Sequence, residues 1–225
     1  VFYRSLTTLL DPLVSGFSAF AGPDTHFRER LGRYHPVPVP PIEGTFPVWL
    51  HGASAGEVQA LIPLVRALRK RVPSMRLTLT TTSLTGRKIA LEKGLAEMVS
   101  LAPLDLAPSV RRAFDAFSPR LLLVAETEFW PLWLGEAARR SIPAVLVNGR
   151  VSDKSYPSYR RFRFFFRGAL GSFAAALVQT PLDRDRLVSL GAVDERVQVV
   201  GQMKYDLGAP DAARVEAFRA SLGLE

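Results

Sequence analysis

The stretch FPVWLHGASAGEVQALIPLVRALRKR, residues 46–71, decides the fold. It opens with an apolar run, FPVWL, and passes through small residues to an acid, Glu57. Beyond that acid, Leu61, Leu64, Val65 and Leu68 recur at i, i+3, i+4 and i+7. That spacing predicts one amphipathic helix over 57–71. An apolar strand, a tight turn and a helix make one β–α unit, and the chain repeats the alternation. Strand-like runs occur at 48–51, 77–81, 98–101, 121–125, 144–148, 174–179 and 197–200, with further helix candidates at 109–117, 132–140 and 183–190. Short apolar strands alternating with helices predict a doubly wound, Rossmann-like α/β domain with a parallel sheet covered on both faces.

The flanks read differently. Residues 1–20 are apolar but broken by Arg4, Asp11, Pro12 and Gly16. They are too interrupted for a confident membrane span and lack a clear cleavage site for a signal peptide. A helix lying in a membrane interface and a helix docked on the domain both fit. Residues 25–44 are basic and then proline-rich, which predicts a connector. The expected organisation is a membrane-associated segment and connector at 1–45, a Rossmann-like domain at 46–206 and the start of a linker at 207–225. A start at Val1 and an end at SLGLE suggest a piece of a longer protein.

Composition narrows the chemistry. The 225 residues are 48% hydrophobic, so a sizeable core is expected and disorder is not. With no cysteine, disulfides, thiolate metal sites and a cysteine nucleophile are excluded. A net charge of +8 suits anionic partners, without choosing among nucleic acid, lipid and membrane.

Ligands of such sheets bind beyond the carboxyl ends of the strands, and polar motifs gather there: HGASAGE, TTTSLTG, APLD, AETEFWP, NGRVSDKS, QTPLDRDR and GQMKYD. None is G-x-G-x-x-G, G-x-x-x-x-G-K-[ST] or G-x-S-x-G. His26 and His35 fall in the connector, so a Ser-His-Asp triad is poorly supplied. Glu57 opens a helix whose dipole favours its ionised form and weakens it as a base, so burial must offset the dipole if it moves protons. A capping acid and a general base both fit. Glu126 and Glu128 lie on one side of a strand end, fit to orient hydroxyls, pair with a lysine or cap the helix near Pro131. Without a histidine nearby in sequence, metal is weakly supported. Arg160, Arg161 and Arg163 sit among Phe162 and residues 164–166, where they could meet phosphates or a membrane. The plainer reading, an amphipathic helix with most of its phenylalanines in the core, is preferred.

HGASAGE, PLVRALRKRVP, TTTSLTG, APLD, ETEFWP, NGRVSDKS, LVSLGA and VVGQMKYD together resemble the 3-deoxy-D-manno-octulosonic acid (Kdo) transferases, in order and spacing, over most of the chain. The resemblance implies the N-terminal, acceptor-binding domain of a two-domain GT-B type glycosyltransferase with no cofactor and no catalytic metal. It implies transfer of Kdo from CMP-Kdo to a lipid A precursor at the cytoplasmic face of the bacterial inner membrane, with most donor contacts made by a further domain. Glu57 falls on the family's base. Ser54, Ala55, Gly56, Thr82, Glu126, Glu128, Asn148, Arg150, Ser152 and Lys204 fall on acceptor-binding or orienting positions, and Arg160, Arg161 and Arg163 become membrane or phosphate contacts. Departures are NGRVS for the family's NARLS and GQMKYD for GNLKFD; both leave the charged positions intact. A non-catalytic module binding anionic lipid or nucleotide is the rival reading. Nucleic-acid binding rests on charge alone and is not expected.

Overall fold

The computed structural model describes Tyr3, Thr7, Thr8, residues 26–34 and residues 42–207. The interfacial reading of 1–20, apart from those three residues, lies outside the described residues, as do His35 and the linker beyond 207.

Seven strands form one parallel sheet: β1 Phe46–His51, β2 Met75–Thr81, β3 Met98–Leu101, β4 Leu121–Ala125, β5 Ala144–Gly149, β6 Ala175–Val178 and β7 Val197–Val199. Their order is β3-β2-β1-β4-β5-β6-β7. All seven expected strands are present, and the doubly wound α/β class holds. Strand β1 is central, pairing with β2 from Phe46↔Met75 to His51↔Thr80 and with β4 from Val48↔Leu121 to His51↔Val124. Alternate side chains of a strand face opposite sides, so β1 feeds two cores. Val48 and Leu50 join Leu77, Leu79, Leu123 and Val147 on one face. Trp49 joins Phe114, Phe117 and Trp133 on the other, at ring separations of 5.0, 5.0 and 4.7 Å.

The helices are α1 Phe27–Arg30, α2 Ala55–Ala60, α3 Ile62–Arg71, α4 Leu84–Glu92, α5 Ala107–Phe117, α6 Pro131–Arg139, α7 Tyr156–Arg161, α8 Arg163–Leu170 and α9 Pro181–Leu190. The single helix expected over 57–71 is divided at Leu61. Pro63 has no amide hydrogen to donate into the preceding turn, which interrupts the ladder there. The expected face survives: Leu61 and Val65 are buried, with Leu64 and Leu68 packed against the same core. Packed residues also reach back into the stretch read as a connector. Leu31 and Tyr34 are buried, and Glu29 accepts from Ser100 Oγ at 2.7 Å and Leu101 N at 2.8 Å.

The preference for core phenylalanines over residues 162–166 holds for Phe166, which packs against the second core, and fails for Phe162 and Phe164. Phe164 is 78% and Phe162 48% exposed, while Phe165 and Phe166 are half-buried. Consecutive helical positions are about 100° apart, so residues 164–166 cannot share one inward face. Ala169 and Leu170 make the buried contact, with Phe166 packed beside them. Among the described residues no helix is long and apolar enough to cross a membrane.

One loop carboxylate ties the second core together. Asp105, buried, accepts from Leu132 N at 3.1 Å, capping α6 from outside its own segment, and from the Tyr3 hydroxyl at 3.3 Å. Burial raises its pKa to about 7, against the lowering effect of those donors. A carboxyl that holds its proton more tightly folded than unfolded adds stability at low pH. That stability is lost as pH rises from about 4, its ordinary value, through about 7. Replacing Asp105 with Asn is expected to flatten the fall of melting temperature over that interval, as read by calorimetry at several pH values.

Candidate active site

The strand order reverses between β1 and β4, since β1 runs on to β2 on one side and β4 to β5 on the other. Connections leave that point in opposite directions and open a crevice at the carboxyl ends of the strands. The loops after β1, β4 and β5 enter it.

After β1, the chain turns at Gly52, where a Cβ would stand 2.8 Å from Leu61 Cδ1, so the turn is tight because the helix lies against it. Ser54 caps α2, its Oγ accepting from Glu57 N at 3.2 Å. In return Glu57 folds back on the cap. Its Oε2 accepts from Ala53 N at 2.8 Å and its Oε1 from Ser54 Oγ at 3.0 Å. This is a capping box with the acid reaching one residue further back than usual. The Ala53 carbonyl is itself clasped by β2 and the loop after it, accepting from Thr81 Oγ1 at 2.8 Å and Thr82 Oγ1 at 2.7 Å. Arg30 in turn donates to the Thr82 carbonyl at 2.6 Å. Thr82 therefore holds the loop that holds Glu57.

Glu57 is half-buried, and burial is the largest influence on its carboxyl, raising the pKa. The Ala53 amide and the Ser54 hydroxyl pull it down, the charge of Glu128 pushes it up, and His51 lowers it. Burial therefore outweighs the donors of the helix start, the balance a base near neutral pH requires.

After β4, Glu126 takes a left-handed backbone, φ 54°, and accepts weakly from Asn148 Nδ2 at 3.4 Å. Its pKa is raised first by burial and then by Glu57, and is held down by Arg150 and Lys204. Glu128 Oε2 accepts from Trp130 Nε1 at 2.7 Å and lies 3.8 Å from Nε2 of the buried His51. Near the end of β5, Asn148 is also left-handed, φ 53°. Its Oδ1 accepts from Met203 N at 3.2 Å, fixing the segment that carries Lys204. The loop behind Arg150 is fastened to α9, with Val151 N donating to Asp183 Oδ1 at 2.8 Å and Arg186 to the Val151 carbonyl at 2.7 Å.

Gly56, Glu126, Asn148, Arg150, Ser152 and Lys204 line one pocket of about 580 Å³. Ala55 opens α2 beside it, and Glu57 and Glu128 act on Glu126 through their charges. Arg160, Arg161 and Arg163 are exposed on α7 and α8 and do not line it. Residues not singled out from sequence also contribute: Gln59, Gln179, Thr180 and Gln202 line the pocket, and His51 lies behind Glu128. His51, Gln179, Thr180 and Gln202 stood in strand-end motifs, the one signal that pointed to them. Among the described residues no group of three or more His, Cys, Asp or Glu is arranged to hold a metal ion.

With this geometry in place, the comparisons decide the family. The profile described as 3-Deoxy-D-manno-octulosonic-acid transferase (kdotransferase) matches residues 25–207. The chain belongs to that family. It is 32% identical over 216 residues to a 3-deoxy-D-manno-octulosonic acid transferase of Haemophilus influenzae, covering 93% of this chain and 50% of that protein. It is 33% identical to the enzyme of that name from Bordetella pertussis, covering 81% and 42%. The chain thus spans about half the length of these curated relatives. Among solved structures it resembles a putative UDP-N-acetylglucosamine 2-epimerase from Listeria monocytogenes, with a TM-score of 0.55, 14% identity and coverage of 77% of this chain and 51% of that one. At that identity the likeness concerns the fold.

Ser54 both caps α2 and favours the charged form of Glu57, so Ser54→Ala should act twice. Losing the cap is expected to lower stability by ~1 kcal/mol in urea melts. Losing the hydroxyl should raise the Glu57 pKa further, read as a shift to higher pH of its carboxyl resonance in an NMR titration.

Proposed function

We propose that this chain is the acceptor-binding half of a GT-B type Kdo transferase, moving Kdo from CMP-Kdo to a lipid A precursor, with Glu57 as the general base. Residues 46–206 form the acceptor domain, and a second domain beyond the linker supplies most donor contacts. The observation that carries this reading is the Glu57 carboxylate itself. It is fixed by two hydrogen bonds at a helix start, raised in pKa by burial, and set beside a polar pocket bearing Arg150 and Lys204.

The chemistry asks little more of this half. A hydroxyl of the acceptor attacks the anomeric carbon of the donor and forms the new C–O bond. Its proton passes to Glu57, while the bond from that carbon to the CMP oxygen breaks and the electron pair leaves with the phosphate. An ionised carboxylate has about four lone-pair positions. Ala53 N and Ser54 Oγ occupy one on each oxygen, so positions remain for the attacking hydroxyl. Glu126 and Glu128 orient the acceptor sugar, Arg150 and Lys204 meet its negative charge, and Asn148 and Ser152 hold the loop between them. In the full-length enzyme, Glu57→Gln is expected to lower kcat by about 10²–10⁴, the usual scale of general-base catalysis, with a circular dichroism spectrum unlike that of an unfolded chain. Near-normal transfer by that variant would remove Glu57 from the mechanism.

The placement at a cytoplasmic membrane face is supported by α7 and α8. Phe162 and Phe164 project into solvent beside the exposed Arg160, Arg161 and Arg163, the pairing of apolar and cationic groups that suits an anionic leaflet. Reversing the three arginines to glutamate should weaken sedimentation with vesicles containing anionic lipid by about 1 kcal/mol per charge. Binding to neutral vesicles should change little.

A further inference from the structure

His51 closes β1 and is fully buried, yet its Nε2 has no hydrogen-bond partner. Buried polar atoms of this kind are rare in folded proteins and call for a reason. Its surroundings supply one. Thr80, its register partner on β2, accepts from Trp49 Nε1 at 2.8 Å and stands 3.0 Å from His51 Nδ1. With one lone pair on the Trp49 indole, the Thr80 hydroxyl satisfies all three groups by donating its own proton to Nδ1. The ring proton is then on Nε2. The Trp133 ring packs edge-on against the imidazole at 4.9 Å and holds its plane. The fixed Nε2–H thus looks at Glu128 Oε2, 3.8 Å away. That gap is too long for a hydrogen bond, but a shift of about 1 Å would close it.

We propose that His51 is a positioning residue for Glu128, whose Nε2–H closes onto the Glu128 carboxylate when the acceptor enters the crevice. The imidazole is immobile between Thr80 and Trp133, whereas Glu128 lies on a loop between β4 and α6 and is partly exposed. The carboxylate is therefore the partner that moves. Active-site hydrogen bonds are commonly long before substrate binds and tighten with it. Held between Trp130 Nε1 on one side and His51 Nε2 on the other, Glu128 keeps one orientation next to the base. The inference rests on the transferase reading, but its structural core can be tested apart from turnover.

Two substitutions separate the two ring nitrogens. Asparagine at 51 places an amide where Nδ1 stood and keeps the Thr80 contact; glutamine reaches to the place of Nε2. In the full-length enzyme His51→Asn is expected to lower kcat about ten- to a hundredfold, the range for outer partners that orient a reacting group. KM should change by less than about threefold, and His51→Gln should recover most of the rate. Equal rates for the two variants, or losses that simply follow their melting temperatures, would overturn the proposal. Nitrogen-15 NMR of histidine-labelled protein gives a reading independent of activity. His51 should show the Nε2-protonated tautomer, and adding the acceptor should shift its Nε2 resonance in the wild type but not in Glu128→Leu, which offers no acceptor. A resonance that shifts identically in both proteins would refute it. Transfer by the wild-type full-length enzyme in the same assay tests the transferase reading itself, and its absence would leave the NMR result to decide His51 alone.

Discussion

Everything at the crevice depends on where the strand order turns back. Strand β1 sits between β2 and β4 in register along nearly its whole length, and the chain leaves it toward one edge of the sheet and leaves β4 toward the other. The loops after these two strands therefore diverge, and the polar ends of both are left facing one opening. Glu57 comes from the first loop and Glu126 and Glu128 from the second. Glu57 and the Glu126–Glu128 pair, far apart in sequence, become neighbours because two strands became neighbours. The Trp49 cluster on one face and the Leu50 layer on the other fix β1 from both sides, so the opening keeps its shape.

Much of this was legible in the amino-acid order because parallel strands covered on both faces must be apolar throughout. All seven runs announced themselves, and so did the acids that follow them. The lapses have different causes, some in contacts between distant segments and some in local geometry. Glu29 meets Ser100 and Leu101 from more than seventy positions away, so residues 26–34 read as a connector. Helix α4 begins at a Ser83 cap whose TTTSLTG setting looks like a loop. The phenylalanines of α8 read as core because their composition is that of a core, while their spacing around the helix is not. His51 heads the HGASAGE motif, but its role was not legible there, since Thr80 lies on β2 and Glu128 on the loop after β4.

Glu57 shows how a structural role and a chemical one can be the same contacts. The bonds from Ala53 and Ser54 complete the start of α2 and also point the carboxylate. They favour its charged form, and burial opposes them more strongly. A weaker cap would give a more basic but less firmly placed group; a fuller one would give a well-placed group too acidic to take a proton. The position between these limits is set by how deeply β1 and its loop sit against β2.

Glu126, just past β4, and Asn148, near the end of β5, both take the left-handed region that glycine occupies most easily. Such conformations persist in a non-glycine residue only where the surroundings impose them. Glycine at either place would relax the backbone, and a laboratory search for heat resistance alone would be drawn to these two positions. Each such gain would erase a side chain from the crevice. Durability and use are therefore set against each other at two adjacent strand ends, and the more thermostable descendant of this protein would be the emptier one.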